Sequence, residues 1–357
     1  MKTGMRTVMG MVALLVTLAA CGPRGASTVT VAPGATGTSG PATTIPATPG
    51  SLPLTPRSTA TARPAVATSA TAPVPALAGI GTVFVIVMEN HDWADITVSA
   101  SAPYINGTLL PRASHAERYD NPPGVHPSLP NYLWLEAGQD FGIADDNDPS
   151  AHHQSTSAHL TAQLDAAGIA WKAYEEGSDG TSCPLQGAGK YAPKHNPMVY
   201  FDDVTDTNDA HSAYCLAHER PYSELAGDLA AGTVPRYAFI TPDLCHDMHD
   251  RCGLLSDPIT QGDTWLAGAV PAILGSAAYR DNGALFITWD EGEGGGDGPI
   301  GLLALSPRAK GHGYQNTIPY THSSLLATLQ RIFGVGPLLG DAARSTDLRD
   351  LFGPPIP

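Results

Sequence analysis

The segment Thr82-Val-Phe-Val-Ile-Val-Met88 is β-rich and apolar on both faces, and Glu89-Asn90-His91-Asp92 follows it at once. A run without polar alternation cannot keep one face in water, so it reads as a strand buried within a parallel sheet that is covered on both sides. Similar runs occupy 169–174, 236–241, 284–289 and 300–305. Between them the apolar spacing predicts helices over 157–167, 223–231, 263–280 and 321–333, with Gly168, Gly232 and Gly334 as stops and Thr321 as an N-cap. Pro271 falls inside the third and predicts a kink or a split there. This alternation predicts an α/β fold: a mostly parallel central sheet sandwiched by helices.

The chain divides into three parts. Residues 1–20 read as a signal peptide, with Lys2 and Arg6 ahead of a short apolar stretch that ends in Leu18-Ala19-Ala20-Cys21. That ending looks like a lipobox, so Cys21 is the expected lipidation site, two acyl chains there giving stable membrane attachment. The alternative is an ordinary signal peptide and a secreted protein. Residues 21–79 are mostly Ala, Thr, Pro, Ser, Gly and Val, which cannot bury enough apolar surface to offset ordering the backbone; a disordered linker is expected. Residues 80–357 form the expected globular domain, the part that would carry any chemistry. It holds all 34 acidic residues, against 19 Lys and Arg in the whole chain, and all 13 His. A net charge of −15 argues against a nucleic-acid partner, which would require a basic footprint.

Chemistry is concentrated at strand ends, where open α/β sheets bind their ligands. The first run ends in Glu89 and Asn90. The 236–241 run leads into Pro242-Asp243-Leu-Cys-His246-Asp247-Met-His249-Asp250, and the 284–289 run into Asp290-Glu291-Gly-Glu293. One such cluster alone is an ordinary solvated turn, but three at equivalent strand ends form a set of oxygen and imidazole donors suited to a divalent cation. The segment His126-Pro127-Ser128-Leu129-Pro130-Asn131-Tyr132 precedes an apolar helical run, which places Ser128 at or near a helix N-terminus. That position favours anions, and a nearby base or metal would activate the hydroxyl. The competing reading makes Ser128 a plain N-cap.

These segments, with Lys194-His195-Asn196-Pro-Met-Val-Tyr-Phe and Tyr320-Thr-His322-Ser, resemble the bacterial phosphoesterase family of the alkaline phosphatase superfamily. That family includes secreted acid phosphatases, phosphatidylinositol-3-phosphatase-like enzymes and, more distantly, phospholipases C. The resemblance runs in one order from about 82 to 335. The Pro-Ser128-Leu-Pro-Asn131 stretch also resembles the nucleophile motif of the nucleotide pyrophosphatase branch.

The resemblance implies Ser128 as nucleophile, Glu89 and Asn90 as one metal-binding pair, and Asp290 and Glu291 as the other. Asp243 as a further metal ligand, and His246, His249 and His322 as catalytic groups, match positions that hold a second metal or orient phosphate. His195 lies in a matching motif with no role assigned. The resemblance implies one divalent cation, since members with the Glu-Asn pair manage with one metal, and metal dependence is expected because the metal-free carboxylates would repel a phosphate. With Asn131 donating to phosphate oxygens, the expected activity is hydrolysis of phosphate monoesters, of small molecules or phosphoinositides, through a phosphoserine. The alternatives are a phospholipase C-like phosphodiesterase and a non-catalytic surface binding lipoprotein. No obligate protein partner is evident. The expected location is extracytoplasmic, with the membrane reached through the lipid anchor. In an exported chain the four cysteines after Cys21 are expected to pair. Cys245 and Cys252 bracket the His-rich turn and would fix it, which leaves Cys183–Cys215; zinc ligation is disfavoured because no C-x-x-C occurs.

Overall fold

The computed structural model describes Leu77 and residues 79–353. The signal peptide, Cys21 and the linker apart from Leu77 and Gly79 lie outside the described residues.

Ten strands are present among these residues: β1 Val83–Met88, β2 Ser114–Ala116, β3 Tyr119–Asp120, β4 Trp171–Glu175, β5 Glu219–Pro221, β6 Tyr237–Thr241, β7 Ala284–Trp289, β8 Leu302–Leu305, β9 Tyr314–Asn316 and β10 Tyr320–Thr321. Eight of them form one sheet in the order β5-β4-β6-β1-β7-β8-β2-β9, and β3 with β10 makes a separate parallel ribbon. Within the large sheet only β8 pairs antiparallel with its neighbours β7 and β2. β1 lies in the middle, and all six of its residues are buried, as its two-faced apolar sequence requires. The expected α/β class and mostly parallel sheet are what the structure shows.

Register decides what meets at the carboxyl edge. Met88 is level with Trp289, Ile86 with Ile240, and Glu175 with Thr241. Glu89 and Asp290, each one residue past its strand, therefore emerge side by side. The apolar strand faces and the flanking helices share one buried core that includes Phe84, Leu129, Phe239, Leu266, Phe286 and Leu326. Removing that apolar surface from water is the main stabilising term.

Helix boundaries shift where tertiary contacts supply the caps. The helix expected over 157–167 is Leu160–Ala166, with its first turn held by Glu136 from another helix, which accepts from the Thr161 N–H at 2.7 Å. The helix expected over 263–280 begins earlier, at Pro258, capped by Asp257, and runs through Pro271 to Gly275. Pro271 is exposed and Ala267, whose carbonyl it leaves without a donor, is half-buried, so water can satisfy that group. The break falls instead at Ser276, whose hydroxyl accepts from the Tyr279 N–H at 3.1 Å and starts the short helix Ala277–Arg280. The helix His322–Phe333 begins and ends as expected, with a Thr321–Ser324 capping box and Gly334 in the left-handed region.

Candidate active site

Ser128 is the first residue of the helix Ser128–Ala137. The N-cap is Pro127, which makes no side-chain capping bond. The plain N-cap reading of Ser128 is thereby excluded. The helix ends at Gly138, φ +70°, where a Cβ would lie 2.7 Å from the Leu339 carbonyl, so only glycine fits the turn.

The Ser128 hydroxyl points back to the end of β1 and donates to Glu89 Oε2 at 3.1 Å. Tyr132, one helical turn on, donates to Glu89 Oε1 at 2.6 Å. Glu89 is completely buried. Burial alone would raise its pKa, but His195, with Nε2 3.2 Å from Oε1, together with Lys194 and Tyr132, holds it at about 2. His195 is itself buried, which favours the neutral ring, yet Glu89 and Asp247 raise it to about 10. Its Nδ1 lies 3.4 Å from Asp247 Oδ2, and its ring stacks on Tyr132 at a centroid distance of 5.1 Å. Glu89, His195 and Asp247 thus form a buried charge triad behind the serine.

The end of β7 supplies the opposite wall. Asp290 Oδ1 accepts from the backbone N–H of Asn90 at 3.0 Å and of Glu291 at 2.7 Å. Asn90 takes a left-handed φ of +49°, a conformation that Asn tolerates better than most residues, and this turns its N–H toward Asp290. Burial and the charges of Glu89 and Glu291 push the Asp290 carboxyl well above its usual range. Glu291 is also raised, by burial first, although His126 offsets this through a 2.6 Å bond from Nδ1. The other nitrogen of His126 reaches Asp297 at 2.9 Å, and the two carboxylates favour the imidazolium despite desolvation.

An atom of the Asn90 side-chain amide lies 3.0 Å from Glu89 Oε2 and 3.0 and 3.3 Å from the two Asp290 oxygens. As a nitrogen it would donate to them. As the carbonyl oxygen it would set a neutral oxygen donor about 3 Å from an oxygen of each carboxylate, the spacing that neighbouring octahedral ligands ~2.1 Å from a small divalent cation adopt. The residues therefore fit a hard cation, on donor chemistry and on the like-charge crowding at Asp290. Glu89, Asn90 and Asp290 are brought together as expected, with Ser128 against Glu89. Glu291 turns away toward His126 and Asn131.

Other expected residues are placed differently. Asn131 is buried, and its amide donates to Glu291 at 3.1 Å and to the Val125 carbonyl at 2.8 Å, so it braces the wall and is not free for phosphate. Of the first helical amides, Leu129 N–H goes to Asp146 at 3.0 Å and Pro130 has none, so this helix start offers an anion fewer donors than the sequence implies. His322 is buried and neutral, its pKa driven to about 4 by burial; Nε2 donates to the Asp290 carbonyl at 2.6 Å and Nδ1 accepts from Tyr119 at 3.1 Å. It orients the Asp290 backbone.

Asp243 and His246 are not among the contacts of Glu89 or Asp290. They form a half-buried group with Glu176, with His246 Nδ1 2.9 Å from Glu176 Oε2, and a second cation could be held there. His249 lies nearer the triad, 6.3 Å from the His195 ring. Both expected disulfides are formed, Cys183–Cys215 and Cys245–Cys252, and the second closes the loop that carries His246, Asp247 and His249.

Sequence reasoning missed five contributors. Tyr132, His126 and Asp247 stand inside the quoted motifs and carried no role there. Lys194, which bonds Asp146 at 3.0 Å, and Asp146 itself had no local signal beyond the neighbouring His195 and an acidic loop.

The sequence model of the Phosphoesterase family matches residues 120–336. The phosphatidylinositol-3-phosphatase of Mycobacterium tuberculosis is 30% identical over 278 residues, which is 78% of this chain and 85% of that protein. The phosphate-repressible acid phosphatase of Penicillium chrysogenum is 29% identical over 223 residues, 60% of this chain and 51% of its own length, so the chain spans about half of that relative. Among solved structures, a protein of the alkaline phosphatase superfamily from Vibrio parahaemolyticus superposes with a TM-score of 0.53 at 10% identity, covering 78% of this chain and 74% of that one, a likeness of fold alone. Among the described residues no helix is long and apolar enough to cross a membrane.

Proposed function

The chain belongs to the phosphoesterase family of the alkaline phosphatase superfamily and is a hydrolase of phosphoric esters, and from that premise we propose that it cleaves phosphate monoesters through a phosphoserine formed on Ser128. The observation that carries this reading is the Ser128 hydroxyl 3.1 Å from Glu89 Oε2, where Asn90 and Asp290 also converge.

Glu89, Asn90 and Asp290 would hold the divalent cation, which supplies Lewis-acid stabilisation of the serine alkoxide and of a phosphate oxygen. The protein's own groups do the rest. His195, already protonated, is no base; its charge keeps Glu89 ionised and in place while Tyr132 fixes the other carboxylate oxygen. With Asn131 and the Leu129 amide committed, the half-buried Lys194 ammonium, paired with Asp146 at 3.0 Å, would exchange that carboxylate for the phosphoryl group to neutralise charge spreading over its equatorial oxygens. His126 and Asn131 hold Glu291, and His322 holds the backbone of Asp290. Hydrolysis of the phosphoserine by water returns the hydroxyl to Glu89.

We further read the leader and Cys21 as an export and lipid-anchoring signal. Fungal acid phosphatases among the relatives and two disulfides support an extracytoplasmic setting. The test is acid quench during turnover of a panel of phosphomonoesters and diesters, with and without chelator. Phosphate trapped on Ser128 from monoesters, lost with chelator, is the expected result. Turnover of diesters alone, or undiminished turnover in chelator, would overturn it.

A further inference from the structure

Three large apolar side chains stand out as exposed among the described residues: Val98 at 95%, Leu254 at 100% and Leu255 at 97%. Isolated exposed apolar residues are ordinary, but these occupy two adjoining loops. Val98 follows the short helix Trp93–Ile96 at the carboxyl end of β1, and the leucines follow the β6 loop that carries Asp247. Ser101 lies beside Asp257, two residues past Leu255. Asp263, six residues further, accepts from the backbone N–H groups of Tyr104 and Ile105 at 2.9 and 2.8 Å. The two loops therefore make one edge beside the Ser128 site.

The exposure is held in place. Cys245–Cys252 closes the base of the leucine loop, and Gln261 donates to the carbonyls of Cys245 at 2.7 Å and Asp250 at 3.1 Å. The same loop bonds the catalytic edge directly, since the Glu89 N–H donates to the Asp247 carbonyl at 2.7 Å. Charge at the tip is selective. Asp250 is taken by Lys190 and His249, and Asp257 caps the helix that begins at Pro258 with its carboxyl held down, against burial, in part by the Arg251 charge; Arg251 itself makes no hydrogen bond or ion pair among the described residues. A groove of about 440 Å³, lined by His246, Leu255, Gln261 and Trp265 among others, runs from the leucines toward the Glu176–Asp243–His246 group.

We propose that this edge docks on a phospholipid bilayer, with Leu254, Leu255 and Val98 entering the acyl boundary and Arg251 at the phosphate headgroups, so that the substrate is a phosphate ester carried by a membrane lipid. The proposal rests on the phosphoserine reading above for its chemistry. A lipid surface suits the geometry because leucines projecting from a tip need no complementary pocket in hydrocarbon, and an arginine beside them without a hydrogen-bond partner among the described residues matches the headgroup layer. Each leucine that becomes buried shifts partitioning roughly ten- to hundredfold, which makes a reversible dock and not a permanent anchor.

The experiment uses the full chain with Cys21→Ser, so that no acyl chain contributes, and the same chain with Leu254→Ser and Leu255→Ser. Both substituted leucines are exposed, so the fold is untouched, and any contribution from the leader cancels between the two chains. Sedimentation with phosphatidylcholine vesicles reads docking; p-nitrophenyl phosphate in solution and phosphatidylinositol 3-phosphate in those vesicles read turnover. The expected result is a loss of at least ~10-fold in vesicle partitioning and vesicle turnover, with soluble turnover changed less than twofold. Equal partitioning and equal vesicle turnover in the two chains would overturn the proposal, as would a dimer of the parent chain that the leucine substitutions dissociate. Absence of turnover of both esters in both chains would instead overturn the phosphoserine reading and leave the docking result to stand by itself.

Discussion

Replacing Ser128 by Ala separates the proposed nucleophile from its surroundings more cleanly than any other single change. The residue is 1% exposed and makes one side-chain hydrogen bond, to Glu89 Oε2. Losing a bond to a buried charged group costs up to about 3 kcal/mol when the partner is left unsatisfied. Glu89 is only partly left so, because Tyr132 and His195 remain on Oε1 while Oε2 loses its serine donor. Alanine also gains up to about 0.7 kcal/mol of helix propensity at a position where no cap is lost. The net cost is on the order of 1 kcal/mol, or about 2 °C in Tm for a domain of this size. Turnover should fall at least ~100-fold, the scale lost when one member of a cooperating nucleophile and electrostatic site is removed. Thermal unfolding and steady-state turnover of p-nitrophenyl phosphate on one preparation measure both. Near-normal turnover would refute the mechanism whatever the melting point.

Asp290→Asn keeps an oxygen for the Asn90 and Glu291 amides while removing a crowded charge, so the chelator-treated protein should melt at or above the parent temperature. Its activity and the Tm rise on titrating Mg²⁺ or Mn²⁺ should both be lost; an unchanged metal-dependent rise would remove Asp290 from the cation site. His159, buried against Glu136 and Asp203, has burial opposing its charge and the two carboxylates raising its pKa to about 9. A raised folded pKa means its contribution is complete below about pH 6.5 and disappears as pH climbs through about 9. Tm should therefore fall over that interval, and His159→Gln should flatten the fall; an identical slope in the variant would contradict the assignment. Gly262→Ala would place a Cβ 2.3 Å from Met248 Cγ and 2.9 Å from Met88 Cε, both buried, for an overpacking cost of about 1–3 kcal/mol in chemical denaturation. Because Met248 follows Asp247, the rate should drop as well, and a variant of parental stability would show that the loop yields freely. Thiol titration of the denatured, unreduced chain should find Cys183, Cys215, Cys245 and Cys252 blocked, and free thiols at those positions would contradict the paired structure.

The sequence alone determined the class of fold and the ends of the strands, because both depend on local pattern. An apolar run such as 82–88 has only a sheet interior to occupy, and the residue after it must emerge at the edge. Glu89, Asn90 and Asp290 were therefore legible as neighbours, and Ser128 as the start of a helix, from spacing and motif. Pairing of the cysteines was legible for a related reason: four cysteines allow three connectivities, and Cys245 and Cys252 bracket a single turn. The tertiary structure decided what each side chain is free to do. Asn131 fits a phosphate-binding motif, yet its amide is consumed by Glu291 and Val125. His195 lies more than 100 positions from Glu89 in the chain, and only burial at 3.2 Å turns the two into an ion pair that holds one carboxylate near a pKa of 2 and one imidazole near 10. Glu136 holds the first turn of a helix from a distance, and that helix starts later than local propensity had placed it. Hydrogen-bond commitment and desolvation are properties of a three-dimensional neighbourhood. They have no period, and so no pattern in the chain announces them.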